Sequence, residues 1–381
     1  VLFYCHFPDK LLTRDTVNGV STGPSQKYAF LKLLYRGILD RIEEYTMQYA
    51  DLILVNSNFT KSEVGQVFPS LMNPVAVPSV TQEAAQESRR EYGPKIQVLY
   101  PSIDLNKFIP PISEASPSSQ HRLFGPIVSL NRFERKKNIQ MLLYAYAALI
   151  RRISSSSIPN EEMERIAKHF SVFPPVLVIA GGYDPRNVEN REYLEELKTL
   201  CETLNLQKQQ VVFRPSVSEK ERATLLQSAT CVCYTPHREH FGIVPLEAMY
   251  AGAPVIAVNS GGPMETVVDG VTGYLVENSS DGFCDALYDM IVLHPEKINK
   301  YGRDAQEHIK RQFGSLKFQT AWKAFVEDCI QRGNLRYRES RLSSFLIHWF
   351  LDALLAFALA FLVTCVLRSM GIDTIKWMKV R

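Results

Sequence analysis

Arg238 to Val258 reads REHFGIVPLEAMYAGAPVIAV and holds two carboxylates, Glu239 and Glu247, eight positions apart with an apolar run between them. Carboxylates accept hydrogen bonds from hydroxyl groups bidentately, as on a sugar or a ribose. They do not bind phosphate, but the stretch between them can. A helix predicted from near Phe241 to Gly252 offers the free N–H groups of Gly242, Ile243 and Val244 and a dipole that favours an anion. Glu239 then falls in the loop before the helix and Glu247 just over one turn inside it. The physical reading is a diphosphate at the helix start, with Glu239 on a sugar and Glu247 on a ribose. A plainer reading has Glu239 complementing the helix dipole and Glu247 on the surface. Taken alone, the spacing favours the plainer one.

A second group changes that balance. LNRFERKKN, Leu130 to Asn138, follows a predicted strand. Arg132 and Lys137 there would stand at the strand's carboxyl end, where two cations can neutralise a diphosphate and stabilise it as a leaving group. Arg135 and Lys136 read as ordinary charged-loop residues. Gly261 and Gly262, in AVNSGGPMETV, enter a short helix and allow close approach to a ligand, with a plain turn as the alternative. Gly181 and Gly182 read as turn residues. His6 ends the first strand and is a candidate ligand facing the cleft. No Gly-x-Gly-x-x-Gly follows a strand and no Walker A loop is present, which disfavours dinucleotide dehydrogenases and P-loop enzymes. No Asp-x-Asp occurs, so neither a metal nor a further cofactor is indicated.

The elements that must position these groups are regular. Apolar strand-like runs alternate with helical patterns: VLFYCHF, a helix from about Gln26 to Tyr49, DLILVNS, a helix near Ser57, then IQVLYPSID. A second series starts at Pro126 and contributes VLVIAGG, VVFRPS, CVCYTP, PVIAVNS and GYLV. Ser218 with Glu221 reads as a capping box. Short β-branched runs between helices predict an α/β chain with parallel sheets in two doubly wound domains. The Pro- and Ser-rich tract 110–125 reads as the linker between domains 1–109 and 126–331. Pro69 to Gly93 reads as a surface insertion.

The 381 residues suit two domains, and 43 basic against 40 acidic residues give a net charge of +3, which makes no case for nucleic acid. The seven cysteines include no Cys-x-x-Cys pair. Cys231 and Cys233 share one strand face, and reduced thiols in a cytosol-facing domain are expected. Near the end, Phe345 to Leu367 is long enough to cross a bilayer, and from Ala353 to Leu367 it carries no charge. A membrane-anchor helix over 342–367 is therefore expected, with a buried core helix as the alternative; basic flanks on both sides leave its orientation open. VLFYCHFPD reads as a strand in full stride, so an N-terminal part of a longer protein is expected to precede Val1.

EHFGIVPLE, NRFERKKN and NSGGPMET together resemble the retaining glycosyltransferases of GT-B fold. More narrowly, FYCHFPD, IEEYT, LVNSNFT, VLYPSID, AGGYDPRNVEN and EHFGIVPLEAMY resemble the α-1,3/1,6-mannosyltransferases of the dolichol-linked oligosaccharide pathway of N-glycosylation, from Val1 to about Gln331. The resemblance implies two Rossmann-like domains, the first incomplete because the family's first glycine-rich loop is expected upstream of Val1. It implies a GDP-mannose donor and a mannosyl-chitobiosyl-diphosphodolichol acceptor at the endoplasmic reticulum membrane, with the catalytic domain on the cytosolic face. It leaves open a complex with other glycosyltransferases of the pathway. By position, Arg132 and Lys137 would hold the diphosphate, Glu247 the ribose and Glu239 the transferred mannose, with Phe241 to Val244 at the phosphate and His6 near the donor sugar. The alternative is a non-catalytic nucleotide-sugar-binding or scaffold protein.

Overall fold

The computed structural model describes residues 1–6, 29–72, 96–103, 122–155 and 161–339, and then 349, 350, 352–357, 360, 363 and 364. Two compact units divide the chain, one from Leu2 to Lys323 and one comprising Ala324–Arg381 with Val1. Both sheets belong to the first.

The smaller sheet has three parallel strands, β1 (Leu2–Cys5), β2 (Leu52–Val55) and β3 (Ile96–Val98), in spatial order β1-β2-β3. Two helices accompany it, α1 (Ala29–Gln48) and α2 (Asn58–Val67). All four residues of β2 are fully buried, as a central parallel strand requires. Ser57 caps α2 by accepting from Thr60 N. The tract beginning at Pro69 departs from a surface insertion at its start. Pro69–Leu71 is a short 3-10 turn, and Leu71 packs with Phe68 and Val64 in the core, because its apolar side chain gains more from burial than from solvent. Residues 73–95 lie outside those described, as does most of the expected linker.

The larger sheet contains β4 (Ile127–Leu130), β5 (Leu177–Gly181), β6 (Val211–Pro215), β7 (Cys231–Tyr234), β8 (Val255–Val258) and β9 (Gly273–Val276), all parallel, in the order β6-β5-β4-β7-β8-β9. Its helices are α3 (Ile139–Ser155), α4 (Glu161–Val172), α5 (Val188–Thr203), α6 (Glu219–Ser228), α7 (Ile243–Tyr250), α8 (Pro263–Thr266), α9 (Ser280–Tyr288) and α10 (Glu296–Phe313). α11 (Ser315–Glu339) follows. Alternate strand residues enter opposite cores. Ile127, Leu177, Ile179, Cys231, Cys233 and Ile256 meet α3, α5 and α9 on one face. Val128, Val178, Val232, Tyr234 and Ala257 meet α6, α7 and α10 on the other. The inner strands β4, β5, β7 and β8 are therefore buried along their whole length, while the edge strand β6 ends on exposed Arg214 and Pro215, and the sheet is wound on both faces. The capping box at Ser218 and Glu221 forms at the start of α6.

The expected membrane helix finds no support here. Among the described residues no helix is long and apolar enough to cross a membrane. Most of 342–367 lies outside the described residues. Within that range the described apolar side chains Trp349, Phe350, Leu354, Leu355 and Phe357 are exposed.

Candidate active site

The strand order reverses direction between β4 and β7. In an open parallel sheet the loops leaving the carboxyl ends of such a pair diverge, one to each face, and open a crevice for a ligand. The loops that leave β4 and β7 here carry Arg132 and Lys137 on one side and Glu239 on the other.

After β4 the chain makes a 3-10 turn at Arg135–Lys137, closed by Asn138 in the left-handed region at φ 49°. The turn buries Lys137. Its carbonyl accepts from Thr235 Oγ1 at the end of β7 at 2.6 Å, so the two loops are stitched together. Its ammonium lies 2.5 Å from Glu239 Oε2. Burial alone would raise the Glu239 carboxyl, but Lys137, by charge and hydrogen bond, outweighs it and holds the pKa below its ordinary value. Arg132 is largely exposed and pairs with Glu134 at 3.1 Å. Gly182 leaves room for it, since a Cβ there would stand 3.1 Å from Arg132 Cγ. Arg135 is occupied by Glu192 and Glu196 of α5, and Lys136 by Glu134.

After β7, Gly242 is the N-cap of α7 at φ 79°, a conformation that suits glycine, and it offers no side chain to cap the helix. Pro245 in the first turn has no N–H to satisfy. The N–H groups of Ile243 and Val244 thus begin a helix whose dipole is open to an anion. The Phe241 side chain is not available to a ligand. It is buried, its ring 5.9 Å from Tyr100 and 6.0 Å from Phe313, because an aromatic at this turn anchors the loop to the core. Glu247 is not a surface residue either: it is 7% exposed and ion-paired with Arg222 of α6. A buried carboxylate requires such a partner.

At Gly261 and Gly262 two stretches of backbone come close together. A Cβ at Gly261 would meet Glu239 O at 2.4 Å, and one at Gly262 would meet Phe241 Cα at 2.2 Å. Gly262 N also donates to Glu239 O at 2.7 Å. The close approach is backbone to backbone, and it fixes the loop that carries Glu239. His6 stands just beyond β1, exposed, with its ring edge-on to Tyr4 at 4.9 Å. The structure therefore brings together Lys137, Glu239, Arg132 and the start of α7, with Glu247 one turn on.

Two participants had no sequence signal strong enough to find them. Arg222 sits in the polar run EKERATLLQS and is defined only by α6 packing beside α7. Tyr234 ends β7 and reads as a core aromatic. Burial first, then the charge of Glu239, pushes its hydroxyl well above the ordinary value, with Arg132 and Glu247 also within its electrostatic reach.

The profile of glycosyl transferases group 1 matches residues 125–308. Among solved structures, sucrose-phosphate synthase from Thermosynechococcus elongatus superposes with a TM-score of 0.57 at 21% identity, covering 89% of this chain and 67% of that one. Anabaena Alr3699/HepE, in complex with UDP and glucose, does so with a TM-score of 0.57 at 17% identity, covering 86% and 71%. At such identity the likeness is one of fold, and the fold is GT-B. Among curated relatives, the α-1,3/1,6-mannosyltransferase ALG2 of Homo sapiens is 38% identical over 322 residues, 84% of this chain and 65% of that protein. Those of Dictyostelium discoideum, at 38%, and Candida albicans, at 40%, are covered to 68% and 69% of their length. The chain thus spans about two thirds of the relatives it matches. Fold and profile define the class, the group 1 glycosyltransferases of GT-B architecture. The chain belongs to the ALG2 family of α-1,3/1,6-mannosyltransferases.

Proposed function

We propose that this chain is the catalytic part of a mannosyltransferase that moves mannose from GDP-mannose onto a mannosyl-chitobiosyl-diphosphodolichol acceptor, making α-1,3 and α-1,6 links. The observation that carries the reading is the buried Lys137–Glu239 pair beside the uncapped start of α7. Breaking the bond between the sugar and the diphosphate leaves negative charge on the diphosphate. Lys137, Arg132 and the α7 N–H groups supply preorganised positive potential where that charge develops. Glu239, held ionised, accepts hydrogen bonds from hydroxyls of the mannose. Glu247 accepts from the ribose, with Arg222 paired against it. No nucleophile is assigned, since retention by same-face, internal return needs none. The intact site speaks against a non-catalytic binder.

The same reading places the protein at the endoplasmic reticulum membrane with the site on the cytosolic face. The uncharged run from Ala353 to Leu367 and the exposed apolar residues between 349 and 357 support association with a bilayer. The test is the full-length protein with GDP-mannose and a lipid-linked trisaccharide, run against GDP-fucose and UDP-sugars. Mannose transfer specific to GDP-mannose is expected, and its absence overturns the proposal. Lys137→Ala or Glu247→Ala should cut transfer by about 10²-fold, the scale of one lost electrostatic contact.

A further inference from the structure

Helix α2 of the smaller sheet has no acidic residue in its first turn. Its opening N–H groups are satisfied from the other sheet. Glu265, on the four-residue α8, accepts from Asn58 N at 2.8 Å through Oε2 and from Phe59 N at 2.7 Å through Oε1. Oε2 also accepts from Asn58 Nδ2 at 3.0 Å and from the Tyr100 hydroxyl at 2.8 Å. One carboxylate thus gathers four donors from two segments of the smaller sheet's surroundings.

Glu265 is equally tied to the site. α8 follows directly on Gly261 and Gly262, whose backbones lie against Glu239 and Phe241. Tyr100, held by Glu265, stacks on Phe241, the residue before the α7 N-cap. Two more contacts link α2 and its N-cap to the Glu239 loop. Ser57 Oγ donates to His240 O at 2.6 Å, and Arg238 pairs with Glu63 at 2.8 Å. These flank Glu239 on both sides in sequence.

We infer that Glu265 is a positioning residue for transfer: by capping α2 in trans it latches the smaller sheet, which carries His6, against the loop that carries Glu239. The inference rests on the reading that Glu239 contacts the transferred sugar. The groups assigned to the nucleotide, Lys137, Arg132 and Glu247, all belong to the larger sheet, and Lys137 meets the latched loop through Glu239.

Glu265→Gln keeps the side-chain volume but turns an amide NH2 toward groups that donate. In the full-length protein, kcat should fall by about 10- to 100-fold, the cost of an ångström-scale misplacement. The donor KM should stay within about threefold, because uniform binding is untouched. Tyr100→Phe should reduce kcat less, and should add nothing in the Glu265→Gln background, since the two act as one unit. Hydrogen exchange should quicken together at residues 57–60 and 238–242. Wild-type kcat in Glu265→Gln, a parallel rise in donor KM, or a loss that merely tracks the folded fraction by thermal unfolding would overturn the inference. A wild-type protein that transfers no mannose would instead overturn the functional reading. The exchange measurement then decides the latch alone: coupled quickening supports it and unchanged exchange refutes it.

Discussion

Lys137→Ala is the most informative single perturbation because Lys137 and Glu239 are both largely buried and 2.5 Å apart. At an effective dielectric of about 20, two unit charges this close attract by roughly 7 kcal/mol before desolvation is counted. Desolvation returns most of that, so the pair as such contributes little. Removing one partner is a different matter, since it strands the other. A fully buried stranded charge costs about 3–5 kcal/mol, and partial exposure of Glu239 lowers the expectation to about 2–3 kcal/mol. The pH dependence carries the sign. In the wild type the folded pKa of Glu239 is depressed, so its ionisation contributes stability at neutral pH that is lost as pH falls through that folded value. In Lys137→Ala burial remains and the main attraction is gone, so the pKa rises above its unfolded value. Ionisation then costs stability at neutral pH, and the cost fades as pH falls and Glu239 takes up a proton. Denaturant unfolding of both proteins from neutral pH down through the carboxylate range should therefore show a gap that closes toward acid. Glu239→Gln in the Lys137→Ala background should recover most of the neutral-pH loss. A gap independent of pH, or no recovery, would refute the electrostatic account of this pair.

Gly262→Ala should destabilise by about 2–3 kcal/mol because its Cβ meets backbone atoms of Phe241 that cannot move aside. Gly270→Ala, at φ 70° with open space around it, should cost only the left-handed strain of about 1 kcal/mol, and thermal unfolding compares the two. The Cys233 thiol, pushed well above its ordinary value by burial and then by Cys231, should resist maleimide in the native protein at neutral pH and react only on unfolding, as mass spectrometry would read. Of the two glycosylation sequons, Asn58-Phe-Thr60 is silent in the folded chain because Thr60 is fully buried and Asn58 Nδ2 is bonded to Tyr100 and Glu265. Asn278 is exposed and is the reporter. It should carry no glycan when the full-length protein is expressed in eukaryotic cells, and endoglycosidase-sensitive modification there would contradict a cytosolic site.

The alternating apolar runs were enough to read the parallel α/β class and the core of the inner strands of the larger sheet, because a strand buried on both faces is predominantly apolar. The capping box at Ser218 and the glycine start of α7 were legible for the same kind of reason: each is a local interaction between residues a few positions apart. Glu239 and Lys137 could be named from their types and from strand ends, but not paired, since about a hundred residues separate them. What folding decided is everything that depends on which strand lies beside which. The order β6-β5-β4-β7-β8-β9 brings the β4 and β7 loops together and makes one site of two charged stretches. It sets Arg222 against Glu247, turns Phe241 into the core, and packs Gly261 and Gly262 on the backbone of the Glu239 loop. Likewise Glu265 caps a helix more than two hundred residues earlier in the chain. Local propensity is written in neighbouring residues; the partner of a buried charge is chosen by the packing of distant ones, and only the tertiary structure shows it.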